Sequence, residues 1–300
     1  MSIQKIGLIV GKFYPLHQGH INMILAAKLA VDELYVFVCS ETDRDWELFL
    51  ESEFTKVPSS EDRVNWAKEM LSGISGITVH GFNEDGIPAY PNGWQAWSDR
   101  LKTTLHALNI QPTVIFSSEL QDKDFYESYF HTEVTLVDPP RDKFPVSATK
   151  IRTTPFQYWT YIPTMIRPFF TRTIVIDADI FRNPTLLPAI LKLFNTVEVP
   201  GFEKIQFEII QTSQIAKLIE HAKEDSRMIS ALIGDDSFIA KFKMQTQHSQ
   251  LLKKCEVLQL SHNTHDAKDH HTVQDRLIFN EVSSFINRLM LRETLPQEIF

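Results

Sequence analysis

Along the first half of the chain, short apolar runs alternate with longer stretches of helical periodicity. Residues 5–10 (KIGLIV) read as a buried strand, and residues 20–31 (HINMILAAKLAV) put their apolar positions on one helical face. Strands are likewise predicted at ELYVFVC (33–39), GITVHGF (76–82), PTVIFSS (112–118) and TEVTLVD (132–138). Helices are predicted at EDRVNWAKEMLSGI (61–74), opened by Ser60 ahead of two acids, and at NGWQAWSDRLKTTLHAL (92–108). Alternation of this kind predicts an α/β fold with a parallel, doubly wound sheet, whose ligands lie at the carboxyl ends of the strands. The loop after the first strand, Ser118 and the loop before Trp94 all fall at such ends.

The pattern changes after residues 158–170 (YWTYIPTMIRPFF), an aromatic, proline-punctuated connector. Strands are expected at TRTIVIDADI (171–180) and RMISALIGDD (227–236), and a long closing helix at VQDRLIFNEVSSFINRLMLRE (273–293). Two domains are therefore expected, 1–170 and a smaller 171–300, and 300 residues suffice for both. No repeat or low-complexity tract is visible.

Composition narrows the function. The chain is 43% apolar and 23% charged, as in soluble globular proteins, with no run long enough to span a membrane. Two cysteines, Cys39 and Cys255, form neither a disulfide framework nor a metal spacing, so a cytoplasmic location is expected. Net charge is −8, and Lys plus Arg number 15 against 21 acids in 1–170 and 15 against 17 in 171–300, which argues against nucleic acid as a partner. A small anion held by a few aimed cations fits better.

The stretch GKFYPLHQGH (11–20) supplies such cations. A helix starting near His20 would point free N–H groups and its positive dipole end at the loop, Gly19 would allow close approach, and Lys12, His17 and His20 would add donors. Alone, the same residues also describe a polar turn. VSATKIR (146–152) places Ser147 and Thr149 ahead of Arg152 at the start of the last helix of this domain. By itself that is equally a helix cap beside a surface arginine. Trp94 and Trp97, three apart on a helix, share a face and suit either a core or a flat cationic ring. The four histidines within 261–271 (SHNTHDAKDHH) match no standard zinc spacing, so no metal site is expected.

The pair of motifs, HxGH at 17–20 and a variant of ISxTxxR with Val146 in place of the isoleucine, resembles the nucleotidylyltransferase superfamily. GKFYPLHQGHI, DRDWELF (43–49), FNEDGIPAYPNGWQAW (82–97), LVDPPRD (136–142) and ATKIRTTPFQYWTYIPTMIRPFF (148–170) resemble the nicotinamide-nucleotide adenylyltransferase domain of NadR-type bifunctional proteins, nearly continuously over 5–170. The resemblance implies a Rossmann-like domain that joins ATP to nicotinamide mononucleotide, giving NAD and pyrophosphate. It implies catalytic roles for Lys12, His17, His20 and Arg152. ATP and NAD contacts are implied for Gly11, Phe13, Arg44, Ser117, Ser118, Glu119, Val146, Ser147 and Thr149, and nicotinamide-nucleotide contacts for Asn83, Glu84, Tyr90, Trp94 and Trp97. Mg²⁺ is expected to arrive on the triphosphate, since no carboxylate cage is visible. The sequence leaves open a homo-oligomer, other acceptors (nicotinate mononucleotide, phosphopantetheine) and a non-catalytic NAD sensor. No helix-turn-helix precedes the domain, so a repressor role is not expected.

In similar bifunctional proteins a P-loop and a ribosylnicotinamide kinase follow the connector. Here TIVIDADIFRNPTLL (173–187) puts Ala178 and Asn183 at the two P-loop glycines, Pro184 at the lysine and Thr185 at the hydroxyl. The expectation is a degenerate P-loop-like α/β domain with no kinase activity, in which ALIGDDSF (231–238) and the closing helix are echoes of the kinase.

Overall fold

The computed structural model describes residues 4–89, 92–181, 185–194, 204–247, 249–252, 255–260 and 271–291. It divides into two compact units: residues 1–52, 58–153 and 158–166, and residues 53–57, 154–157 and 167–300. Among the described residues no helix is long and apolar enough to cross a membrane.

The first unit runs β1 (Ile6–Gly11), α1 (Gln18–Lys28), β2 (Glu33–Ser40), α2 (Thr42–Leu50), α3 (Ser60–Met70), β3 (Ile77–Asn83), α4 (Trp94–Ala107), β4 (Val114–Ser117), α5 (Lys123–Phe130), β5 (Glu133–Leu136) and α6 (Ala148–Thr153). Its sheet has the order β3-β2-β1-β4-β5 with every pairing parallel. Chain progression reverses between β1 and β4, so a crevice opens at their carboxyl ends, where Lys12 and Ser117 stand. One sheet face buries Leu8, Phe37, Phe82 and Ile115 with Leu101 and Leu105 of α4 and Tyr126 of α5. The buried sides of α1 (Met23, Ile24, Ala27) and α3 (Trp66, Ala67) pack against the strands.

The second unit contains β6 (Arg172–Asp177), α7 (Leu186–Phe194), β7 (Ile205–Ile210), α8 (Ile215–Glu224), β8 (Ala231–Gly234), α9 (Asp236–Thr246), β9 (Glu256–Gln259) and α10 (His271–Leu291). Its four strands are parallel in the order β7-β6-β8-β9. Alternation along β6 feeds two cores: Ile174 and Ile176 pack with Leu187 and Ile190 of α7 and Val282 and Ile286 of α10. Val175 packs with Ile215 and Ile219 of α8 and Phe238 and Phe242 of α9.

Three local expectations need correction. The α3 cap is Ser59, not Ser60: Ser59 Oγ accepts from Asp62 N while the Asp62 carboxylate accepts from Ser59 N, a closed capping box. Helix α1 begins at Gln18, two residues earlier than its apolar pattern suggests, because His17 caps it. The sequence pattern also missed α2, α5 and most of the second unit. Of the histidine-rich segment, residues 261–270 lie outside the described residues, and among the described residues no group of three ligand-type side chains could hold a metal.

Candidate active site

The crevice at the end of β1 and β4 is a cleft with two compartments that share His20, Met23, Ser118, Glu119 and Ala148. The larger, about 460 Å³, runs from Gly11 and Lys12 to the tryptophan pair. The smaller, about 330 Å³, lies over His17, Gly19, Ser147 and Thr149.

His17 is 4% exposed, and its Nδ1 accepts from the His20 backbone N–H at 3.4 Å, which caps α1. That bond fixes the tautomer: a neutral imidazole accepting at Nδ1 carries its proton on Nε2, a donor for an anion. The His20 ring stacks on His17 at 3.7 Å between centroids and meets Phe13 edge-on at 5.0 Å. Burial is the main reason both pKa values fall, His20 to about 3 and His17 well below its usual value, with nearby Arg141 adding to each. Both imidazoles are therefore neutral near pH 7. A Cβ on Gly19 would come 3.0 Å from the His17 ring, so a side chain there would push the stack apart. Phe13 takes a left-handed φ of 47° as the chain turns off β1.

Lys12 is not a free cation. Its ammonium lies 2.9 Å from Asp45 Oδ1 and 3.9 Å from Glu84 Oε2. Behind it Arg63, 1% exposed, donates to the carbonyls of Lys12 and Cys39 and to Asp45 Oδ2 at 2.5 Å, with its guanidinium 5.0 Å over the Tyr14 ring. One buried arginine thus fixes the Lys12 backbone directly and its side chain through Asp45. Arg152 donates to Tyr14 O at 2.6 Å and to Thr149 Oγ1 at 3.2 Å, tying the SxTxxR segment to the loop after β1. Ser147 Oγ accepts from Lys150 N, so the capping reading of this segment holds while Ser147 and Thr149 also line the smaller compartment. Val146, 1% exposed, contributes packing there.

At the other end Trp94 and Trp97 both join the apolar core beside α5, as the core reading has it, and both also line the cleft. Trp97 is pinned by donating from Nε1 to Glu84 Oε1 at 2.7 Å. Trp94 stacks on Phe125 at 4.7 Å with rings 2° from parallel, and its Nε1 has no hydrogen-bond partner among the described residues. Glu84, 7% exposed, and Cys39 line this end, where burial and Glu84 push the Cys39 thiol well up. Ser117, Ser118 and Glu119 follow β4 into the cleft. Arg44 lines it as well, although its Nε is paired with Glu41 at 3.0 Å.

The structure does not bring Asn83 in: it is exposed and exchanges two hydrogen bonds with Asp85, closing the turn after β3. Tyr90 lies outside the described residues. Sequence reasoning overlooked Asp45, Arg63 and Arg141. Asp45 directly follows the selected Arg44, whereas Arg63 looks like any polar residue of a surface helix.

Residues 8–154 match the cytidylyltransferase-like family model. The trifunctional NAD biosynthesis/regulator proteins NadR of Escherichia coli K12 and Salmonella typhimurium LT2 are each 39% identical over 194 residues, 64% of this chain and 47% of theirs. The chain thus spans about half the length of the curated relatives it matches. A crystal structure of NadR protein in complex with NR superposes with a TM-score of 0.62 at 19% identity, covering 95% of this chain and 97% of the other. A second, with NAD and AMP-PNP, gives 0.60 at 18% identity over the same shares, and at such identities the likeness speaks for the fold alone. Residues 8–154 thus form a cytidylyltransferase-like domain, in a chain similar over 194 residues to NadR-type proteins.

Proposed function

We propose that the first unit transfers the adenylyl group of ATP to nicotinamide mononucleotide, forming NAD and releasing pyrophosphate. The observation that carries this reading is the convergence, in one cleft, of a phosphate cradle (His17, His20, Lys12, Arg152) and a tryptophan-lined end. The names of the relatives, which make NAD, and of the structures, which bind NAD, AMP-PNP and NR, agree with it. The mononucleotide phosphate attacks the α-phosphorus, a P–O bond forms, and the bond from the α-phosphorus to the bridging oxygen breaks as pyrophosphate departs. With a second pKa of about 6 that phosphate is already largely dianionic, so no general base is required.

Positioning and charge stabilisation then do the work. His17 Nε2–H and His20 donate to phosphate oxygens as neutral imidazoles. Lys12, aimed by Asp45, and Arg152, braced on Tyr14 O, take charge developing on the leaving pyrophosphate. Mg²⁺ enters as part of the substrate MgATP, and the two carboxylates nearest Lys12 have partners of their own: Asp45 with Lys12 and Arg63, and Glu84 with Trp97. Offering MgATP with nicotinamide mononucleotide, nicotinate mononucleotide or phosphopantetheine tests the acceptor. Pyrophosphate release fastest with the first supports the reading, and preference for another acceptor overturns it.

Trp94, stacked on Phe125, is the proposed platform for the pyridinium ring. Trp94→Leu should raise KM for the mononucleotide about tenfold, the scale of a partly desolvated cation–π contact, and leave KM for MgATP within about twofold. Equal effects on both substrates would make Trp94 a packing residue only.

Within this reading residues 171–300 carry no kinase activity. The N–H groups that leave β6, where a P-loop would wrap phosphate, are engaged: Ala178 N donates to Ile210 O, Asp179 N to Asp177 Oδ1 and Ile180 N to Asp177 O. Incubation with ribosylnicotinamide and MgATP should give no mononucleotide above background. Phosphorylation that persists in a His20→Ala chain would contradict this.

A further inference from the structure

Two loops meet beside the stacked histidines with a contact that the reaction outlined above does not use. Arg141, after β5, donates from Nη2 to Glu119 Oε1 at 2.5 Å. Both ends are braced by their own turns. Glu119 N donates to Ser117 Oγ, and Gln121 Nε2 donates to the other Glu119 oxygen. Arg141 N donates to Asp138 O, while the Asp138 carboxylate accepts from the N–H groups of Asp142 and Lys143. Among the described residues lining the smaller compartment, Arg141 is the one lysine or arginine. With that charge spent on Glu119, the compartment offers neutral imidazoles, hydroxyls and the carboxylates of Glu119 and Asp138, a poor setting for a polyphosphate. The pair is 41% and 40% exposed, where ion pairs are weak and exchange readily. A phosphate chain offers the guanidinium fork two oxygens and more charge than one carboxylate does.

We infer that Arg141 is a phosphate-binding residue held in reserve by Glu119, leaving that carboxylate for the terminal phosphates of a bound nucleotide. The inference rests on the reading that a nucleoside triphosphate fills the cleft. It changes the role of Glu119, which competes for Arg141 instead of holding the nucleotide. The two residues therefore have opposite signs: losing Arg141 weakens polyphosphate binding, and neutralising Glu119 strengthens it.

Calorimetry on the full chain tests this with MgATP, magnesium pyrophosphate and, as a phosphate-free control, adenosine. Arg141→Ala should weaken the first two at least about tenfold and leave adenosine unchanged, the scale of losing hydrogen bonds to a charged group. Glu119→Gln should tighten the first two about two- to fivefold, as expected for removing an exposed ion pair. In the Arg141→Ala background the Glu119→Gln change should have no effect, because its benefit acts through the arginine. Unchanged pyrophosphate binding in Arg141→Ala, or weakened binding in Glu119→Gln, would overturn the inference. NAD formation is scored separately. A chain that binds in this pattern without turnover fails the proposed function alone, and turnover with binding indifferent to Arg141 fails this inference alone.

Discussion

A His20→Ala chain is expected to form NAD with kcat lowered about 10²–10³-fold, the usual scale for losing one preorganised donor to a transition state. The imidazole lies where the two compartments join, stacked on His17 and edged by Phe13, so it enters the reaction already oriented. It is neutral, with a pKa pushed down to about 3 by burial, so the contribution proposed for it is a directed hydrogen bond that strengthens as charge builds on the phosphates. Loss should therefore fall on kcat more than on KM for MgATP, because the ground-state triphosphate retains Lys12 and Arg152. Near-normal turnover in a folded His20→Ala chain would remove the histidines from the phosphate cradle.

The second large effect is expected at Asp45. Arg63 is 1% exposed and the Asp45 side chain 13%, and the carboxylate faces both that guanidinium and the Lys12 ammonium. Truncation to alanine strands a buried cation, and removing one partner of a buried pair typically costs about 3–5 kcal/mol. Tryptophans 46, 66, 94, 97 and 159 all lie in the first unit, so denaturant unfolding followed by their fluorescence reads this unit separately from the second. Asp45→Ala should lower its stability by about that amount. Asp45→Asn, which retains a hydrogen-bond acceptor, should cost less and raise KM for MgATP by loosening Lys12. An Asp45→Ala chain as stable as the parent would show that the Arg63–Asp45–Lys12 chain of contacts is not structural.

The parallel sheet of the first unit was legible because β1, β2 and β4 are buried on both faces and read as continuous apolar runs. Strand β7 was not, since Gln206 and Glu208 interrupt it at the sheet edge, and β9, at the opposite edge, has only Val257 and Leu258 between the polar Glu256 and Gln259. His17, His20 and Arg152 were legible because their motifs are local in sequence. The supports were not: Arg63 meets Lys12 across 51 positions, and Arg141 meets Glu119 across 22, distances that only the β-α crossovers close. Ser60 was chosen over Ser59 because adjacent serines ahead of acids look alike until the reciprocal bond of the capping box is seen.

The central claim, transfer of an adenylyl group within the first unit, is tested most directly with ATP labelled at its α-phosphorus, nicotinamide mononucleotide and Mg²⁺. The proposed chemistry predicts that the label appears in NAD, that the pyrophosphate released is unlabelled and equimolar, and that both form about 10²–10³-fold more slowly, in step, in the His20→Ala chain. A chain that binds NAD but leaves all of the label in ATP would contradict it and identify the cleft as a site that only holds the dinucleotide.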